Sequence, residues 1–134
     1  QYFKPLILNE YLGAVDLRCI RDINKSIIGF LGVSEQSIEM LFILPQKRGK
    51  GVGKALLNYA IEELDSKKVD VNEQNKQALG FYQYAGFRVI SRSELDGTGK
   101  PYPVLHMEYT QPRIEKLATK KPLIKLTKNI TNIK

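Results

Sequence analysis

The sequence contains only one cysteine, one histidine and no tryptophan among 134 residues. The single cysteine, Cys19, cannot form an internal disulfide, which fits the reducing environment of the cytoplasm. We expect Cys19 to be a small apolar residue within a strand. A catalytic thiol would need a nearby histidine, and His106 is far away in sequence.

Long apolar segments are also absent. No stretch approaches the roughly 20 residues needed to cross a bilayer, and residues 1–13 lack the segments of a signal peptide. The length is that of one domain. The sequence therefore predicts a cytoplasmic domain that does not act in a membrane.

Acidic residues are scarce only at the C-terminal end of the chain. Residues 110–134 hold seven lysines and arginines and one acid, whereas residues 1–109 hold 14 basic and 13 acidic residues. We therefore divide the chain into a domain at 1–109 and a basic C-terminal extension at 110–134. The extension has no aromatic residue on which a base could stack, so binding to nucleic acid is not expected.

Apolar periodicity predicts a helix, three strands, a helix, a strand, a helix and two final strands. A mixed sheet with helices packed on its faces follows from this order. The predicted ranges are 2–14, 15–22, 26–33, 37–45, 52–65, 67–73, 75–85, 87–95 and 104–109.

The segment "LFILPQKRGKGVGKALL" at 41–57 joins the third strand to a helix through a turn rich in glycine and cations. Glycines allow close backbone approach, and a helix N-terminus carries partial positive charge, so such a turn can hold phosphate. The alternative is a flexible turn with solvated charges. Its cations are Lys47, Arg48, Lys50 and Lys54.

Two common phosphate motifs do not fit this turn. Walker A requires four residues between its first glycine and the Gly-Lys pair and then a hydroxyl, but three residues separate Gly49 from Gly53 and Ala55 follows Lys54. The dinucleotide pattern G-x-G-x-x-G is also not met. The turn therefore does not predict an ATPase, a kinase or a dehydrogenase.

The spacing that fits is Q-x-x-G-x-G, formed by Gln46, Gly49 and Gly51. Here the chain resembles the GNAT N-acetyltransferase superfamily, and in particular small bacterial members of poorly defined substrate. The resemblance covers about 17–109 and implies a mostly antiparallel mixed sheet flanked by helices, without the family's first strand and first helix. A second family motif is matched by Asn75, Ala78, Tyr82, Gly86 and Phe87.

The resemblance implies transfer of an acetyl group from acetyl-CoA to a primary amine, by direct attack in a ternary complex and without a metal. The acceptor would be a small-molecule or protein amine. A catalytically weak acyl-CoA-binding module is the alternative. The residues assigned to acetyl-CoA are Phe42, Ile43, Leu44, Gln46, Arg48, Gly49, Lys50, Gly51, Val52, Gly53, Lys54 and Asn75.

The same resemblance assigns two catalytic residues. Tyr82 occupies the position of the family's general acid, and Glu39 matches a catalytic glutamate of some members. If Glu39 were buried, its pKa would be raised. His106 is the other candidate base, although we favour a structural role for it, and Tyr84 is a weaker candidate acid. Asn75 could cap its helix, bind CoA, or do both.

A sheet without its first strand would expose an edge near Leu17, and exposed edges invite pairing. The tail segment 122–130 shows an imperfect apolar alternation and could supply a covering strand. We therefore expect this tail, or failing that a second subunit in a homodimer, to cover the edge.

Overall fold

A computed structural model describes residues 15–110 and 129–132. The chain forms two compact units, Gln1–Ser66 with Leu123–Lys134 and, between these segments in sequence, Lys67–Pro122. The helix expected at 2–14, and residues 122–128 of the expected tail strand, lie outside the described residues.

The strands are β1 (Asp16–Arg21), β2 (Ile27–Ser34), β3 (Ser37–Ile43), β4 (Lys68–Asn72), β5 (Phe87–Ser93), β6 (Val104–Tyr109) and β7 (Ile130–Asn132). The helices are α1 (Val52–Glu63) and α2 (Lys76–Tyr84), with a short 3-10 turn at Pro45–Lys47. Every element expected between residues 15 and 109 is present, with its ends within two residues of the predicted ones.

In the first unit, four antiparallel strands lie in the order β3-β2-β1-β7, and α1 packs on β2 and β3. The helix buries Ala55, Leu56 and Ala60 along its inner side. Arg18 of β1 also reaches the helix, because its guanidinium donates to the hydroxyl of Tyr59 at 2.5 Å and lies 5.7 Å from the ring centroid. The helix that follows the glycine-rich turn is therefore held both by packing on β2 and β3 and by the contact between Arg18 and Tyr59.

Strand β7 pairs antiparallel with β1, with Cys19 opposite Thr131 and Ile20 opposite Ile130. The prediction that the tail covers this edge is confirmed for Ile130–Asn132, whereas residues 122–128 of the predicted segment lie outside the described residues. Cys19 is fully buried between its neighbours, as expected for a small apolar residue. Because β2 and β7 flank β1 on both sides, this strand presents no open edge to a second subunit.

In the second unit, the antiparallel strands lie in the order β5-β6-β4, and α2 packs against β4 and β5. Alternation places Val69 and Val71 of β4 with Leu105 and Met107 of β6 on the buried side. The opposite side of the three strands is polar and more exposed. Within the described residues, no helix combines the length and hydropathy needed to span a membrane.

Candidate functional site

The glycine turn, defined here as residues 46–54, joins β3 to α1 in the first unit. Two of its residues, Gly49 and Gly51, have φ angles of 77° and 82°, in the left-handed region that favours glycine. A Cβ added at Gly49 would meet no atom within 4 Å, so space beside the backbone is open at this point. The fold therefore uses glycine here to set the path of the chain and not to relieve crowding.

The N-terminus of α1 lacks a side-chain cap. Gly51 is the N-cap residue and has no side chain with which to cap the helix, and the first turn contains no acid. The first N–H groups of an α-helix have no intrahelical acceptor, and their partial positive charge attracts anions. Val52 is buried and fixes the helix start against the unit. This arrangement fits a phosphate ligand.

The glycine turn carries four cations, Lys47, Arg48, Lys50 and Lys54. No salt bridge among residues 15–110 and 129–132 involves Lys47, Arg48, Lys50 or Lys54. Three of the four side chains are exposed, and Lys47 is half-buried. Four cations without a salt-bridge partner among the described residues thus lie beside the start of α1, an arrangement that attracts anions.

Neighbouring residues at the end of β3 differ in whether their backbone N–H and C=O groups are hydrogen-bonded. The N–H of Leu44 donates to Ile28 at 3.0 Å, and its carbonyl accepts from Lys47 at 2.9 Å. Bonding alternates along an antiparallel ladder, so the N–H and C=O of Ile43 point away from β2. The ladder with β2 therefore leaves the N–H of Ile43 unused, whereas both backbone groups of Leu44 are already bonded.

Strand β3 also approaches β2 very closely. A Cβ at Gly29 would lie 3.0 Å from the carbonyl oxygen of Phe42, 3.1 Å from Leu56 and 3.2 Å from Ile20. No side chain fits there unless the backbone of β3 or the inner side of α1 moves. Gly29 thus sets the position of the residues that precede the glycine turn.

Tyr82, the expected general acid, lies on α2 in the second unit and is 7% exposed. Its ring packs edge-on against Phe81 and Phe87, and Phe87 in turn contacts Tyr109; we name these four residues the Tyr82 cluster. Burial raises the pKa of the Tyr82 phenol to about 12. Tyr84, the weaker candidate, is 86% exposed and has no comparable environment.

Asn75 caps α2, because its side-chain oxygen accepts from the N–H of Ala78 at 3.0 Å. The loop before the helix is held by an ion pair that the sequence did not reveal, in which Arg92 of β5 binds Glu73 through two bonds of 2.8 and 3.1 Å. The hydrogen bond from Arg92 lowers the pKa of Glu73. The capping role expected for Asn75 is present, and its amide nitrogen is left for a further role.

Glu39, the expected base, is exposed on β3. The condition under which we expected its pKa to be raised, burial, is therefore not met. The pairing of β2 with β3 skips this residue, since Met40 lies opposite Gly32 and Ile38 opposite Val33. Irregularities of this kind re-aim a side chain and are common beside active sites.

His106, the alternative base, is hydrogen-bonded to two other side chains in an arrangement that the sequence did not reveal. Its Nδ1 lies 2.8 Å from a carboxylate oxygen of Asp70, and its Nε2 lies 2.6 Å from the hydroxyl of Ser93. The three residues are far apart in sequence, and only the strand register brings them together. Among the described residues, no group of three or more His, Cys, Asp or Glu side chains is placed to hold a metal ion.

Comparison with known proteins identifies the class to which this fold belongs. Residues 9–110 match the family model of the acetyltransferase (GNAT) domain. The chain therefore belongs to the GNAT acetyltransferase family, as the two motifs indicated.

Two curated relatives share part of this sequence. Peptidyl-lysine N-acetyltransferase YjaB of Escherichia coli (strain K12) is 48% identical over 82 residues, which are 61% of this chain and 56% of that protein. The protein of the same name from Salmonella typhimurium is 45% identical over 61% of this chain and 57% of its own length. The chain thus spans little more than half the length of these curated relatives.

The solution structure of apo-form YjaB from Escherichia coli matches with a TM-score of 0.69 and 38% identity, over 79% of this chain and 72% of that one. A GNAT family acetyltransferase from Elizabethkingia anophelis, solved with acetyl-CoA bound, matches with a TM-score of 0.64 over 81% of this chain and 84% of that one. Its identity is only 16%, so this likeness concerns the fold alone. The predicted GNAT fold is confirmed.

Proposed function

We propose that this protein transfers an acetyl group from acetyl-CoA to a primary amine, with a lysine side chain of a peptide or protein as the acceptor. The observation that carries the proposal is the glycine turn, whose open backbone, uncapped helix start and four cations suit a pyrophosphate. The relatives named YjaB are peptidyl-lysine N-acetyltransferases, which supports lysine as the acceptor. The acetyl thioester of the cosubstrate supplies the activated acyl group.

In this proposal the first unit binds the cosubstrate. Gly49, Gly51 and the first N–H groups of α1 hold the pyrophosphate, and the neighbouring cations neutralise its charge. The N–H of Ile43 donates to the thioester carbonyl oxygen and stabilises the negative charge that develops there. Phe42 and Leu44 line the same strand end, where Leu44 contributes its side chain because its backbone groups are bonded to Ile28 and Lys47.

Tyr82 stabilises the departing sulfur in this proposal. With a pKa of about 12, its phenol stays protonated throughout the physiological range. The pKa of a free thiol is about 8.5, so complete transfer from Tyr82 to a thiolate is uphill. The hydroxyl therefore acts best as a hydrogen-bond donor that stabilises the thiolate as the C–S bond breaks, a role that costs no net ionisation of the tyrosine.

The acceptor amine must lose a proton before it attacks, because the pKa of an alkylammonium is about 10.4. We assign this step to Glu39, acting through water, since an exposed carboxylate at a strand irregularity can meet an ammonium group that arrives from solvent. Asn75, whose oxygen caps α2, offers its amide nitrogen to the cosubstrate.

The experiment is a thiol-release assay with acetyl-CoA against a lysine-containing peptide, free lysine and spermidine, combined with calorimetric binding of acetyl-CoA. We expect binding, and release that depends on the peptide, with acetyl-lysine found in the product by mass spectrometry. Binding without release above hydrolysis for any amine would favour the alternative, a catalytically weak acyl-CoA-binding module. Absence of binding by a folded protein would reject both functions.

A further inference from the structure

Three side chains on the polar side of the second unit form one continuous chain of hydrogen bonds. Asp70 of β4 contacts Nδ1 of His106 at 2.8 Å, and Nε2 of the same ring contacts the hydroxyl of Ser93 on β5 at 2.6 Å. Every member lies on a strand and not on a loop, so the backbone of the sheet sets the spacing.

The register explains why the three residues meet. His106 lies directly opposite Asp70 in the β4–β6 pair and directly opposite Ser91 in the β5–β6 pair. Ser93, two residues beyond Ser91, is the diagonal neighbour of His106, and diagonal neighbours on one side of a sheet remain within side-chain reach. An irregularity between Val89 and Ser91 shifts β5 by one residue and brings about this register.

In the neutral imidazole, the carboxylate of Asp70 determines which ring nitrogen carries the proton. An ionised carboxylate only accepts, so Nδ1 carries the hydrogen that is donated to Asp70. Nε2 then presents its lone pair and accepts the hydroxyl hydrogen of Ser93. A serine whose hydroxyl is bonded to Nε2 of a histidine that is oriented by a carboxylate through Nδ1 is the arrangement that generates a serine nucleophile, independently of sequence order or fold.

A substrate can reach this group. The side chain of His106 is 32% exposed and that of Asp70 is 64% exposed. The buried residues of the same strands, such as Val71 and Leu105, point to the other side of the sheet. The group is distinct from the glycine turn and from Tyr82, and the proposed acetyl transfer to amines does not use it.

We propose that Ser93 is the nucleophile of a second acyl-transfer activity, directed at small activated acyl esters. The Ser93 oxygen attacks the ester carbonyl while its proton passes to Nε2 of His106. The bond between the acyl carbon and the leaving oxygen breaks, and the leaving group takes that proton. Water then attacks the acyl-serine with the same histidine as base, releasing the carboxylic acid and restoring Ser93. Asp70 is a positioning residue that holds the ring.

The test uses the full chain and p-nitrophenyl acetate in the absence of acetyl-CoA. We expect nitrophenolate release and, after rapid acid quenching, one acetyl group on the peptide that contains Ser93. Ser93→Ala should remove that modification and lower release at least about tenfold. The matched control is Ser91→Ala, which removes a hydroxyl from the residue opposite His106 that is not part of the chain of hydrogen bonds, and which should behave as wild type.

A fluorophosphonate probe gives a second measurement that does not depend on turnover or on the folding of a Ser93 variant. We expect the wild-type protein to be labelled at Ser93, His106→Gln to abolish labelling, and Asp70→Asn to slow it without moving the label to another residue. Equal nitrophenolate release by wild type and Ser93→Ala, or a wild-type protein unlabelled at Ser93, would overturn the proposal and leave the three residues as a polar contact between strands.

Discussion

The glycine turn of the first unit and the Tyr82 cluster of the second hold the proposed binding and catalytic groups in opposite environments. The turn is exposed, and no salt bridge within the described residues uses its cations. Tyr82 is 7% exposed and packs between Phe81 and Phe87. A change in the turn should therefore affect ligand binding with little effect on folding, whereas a change in the cluster should affect both.

The largest effect is expected from Gly51→Asp. The new carboxylate would itself accept from the N–H groups of α1, a favourable helix cap, and would place negative charge where the pyrophosphate must lie. We expect acetyl-CoA affinity to fall at least about 1,000-fold, or ~4 kcal/mol, by calorimetry, with a smaller loss of stability because the φ of 82° at this position favours glycine. Gly97→Asp, an equal charge change at an open loop position, is the control. Equal affinity in all three proteins would refute the assignment of the turn.

Tyr82→Phe removes one hydroxyl and keeps the ring that packs against Phe87. We expect turnover with a lysine peptide to fall roughly 100-fold, while the dissociation constant of acetyl-CoA stays within about twofold. Tyr84→Phe, at an exposed position of the same helix, should leave both quantities unchanged. If Tyr82→Phe keeps wild-type turnover, the tyrosine serves packing alone.

The same substitution should change the alkaline stability of the protein. Burial raises the pKa of Tyr82 from 10.0 to about 12, so the folded state holds this proton more tightly than the unfolded state does. The resulting stability is fully present below pH 10 and is lost as the pH rises to about 12. Urea unfolding at several pH values should show that wild type loses about 2 to 3 kcal/mol more than Tyr82→Phe over this interval. Parallel curves would mean that the phenol reaches solvent.

Gly29→Ala tests whether close strand packing positions the residues before the glycine turn. The added methyl group would lie 3.0 Å from the carbonyl oxygen of Phe42, a backbone atom that can move only with β3. We expect a loss of about 1 to 3 kcal/mol in unfolding free energy together with weaker binding of acetyl-CoA. Gly32→Ala, where the nearest atoms are 3.6 Å away or more, is the matched control and should be tolerated. Equal stability of the two variants would contradict this view of β3.

The smallest effect is expected for Asn75→Ala, which removes the hydrogen bond to the N–H of Ala78. Loss of such a cap should cost about 1 kcal/mol of unfolding free energy. The exposed neighbour Gln74→Ala should cost less. If acetyl-CoA affinity also falls in Asn75→Ala but not in Gln74→Ala, the asparagine has both expected roles; unchanged stability would exclude the cap as a contributor.

Features encoded within one short segment could be predicted from sequence, and features set by strand register could not. The glycine turn and the start of α1 follow from the spacing of Gly49, Gly51 and Gly53 alone. The contact between Ser93 and His106 depends on a one-residue shift in β5, and the Arg92–Glu73 ion pair joins β5 to a loop distant in sequence. The exposure of Glu39 is also a feature that the sequence could not predict, because it depends on which side of β3 faces solvent.

The pairing of β7 with β1 bears on the order in which this chain folds during synthesis. Cys19 and Thr131 are 112 positions apart, and the whole second unit is made between them. Contacts between such distant residues form late, because a long loop must close first. While residues 130–132 are still unmade, the outer side of β1 has no partner within the described chain, and unpaired strand edges on incomplete chains favour association with other molecules.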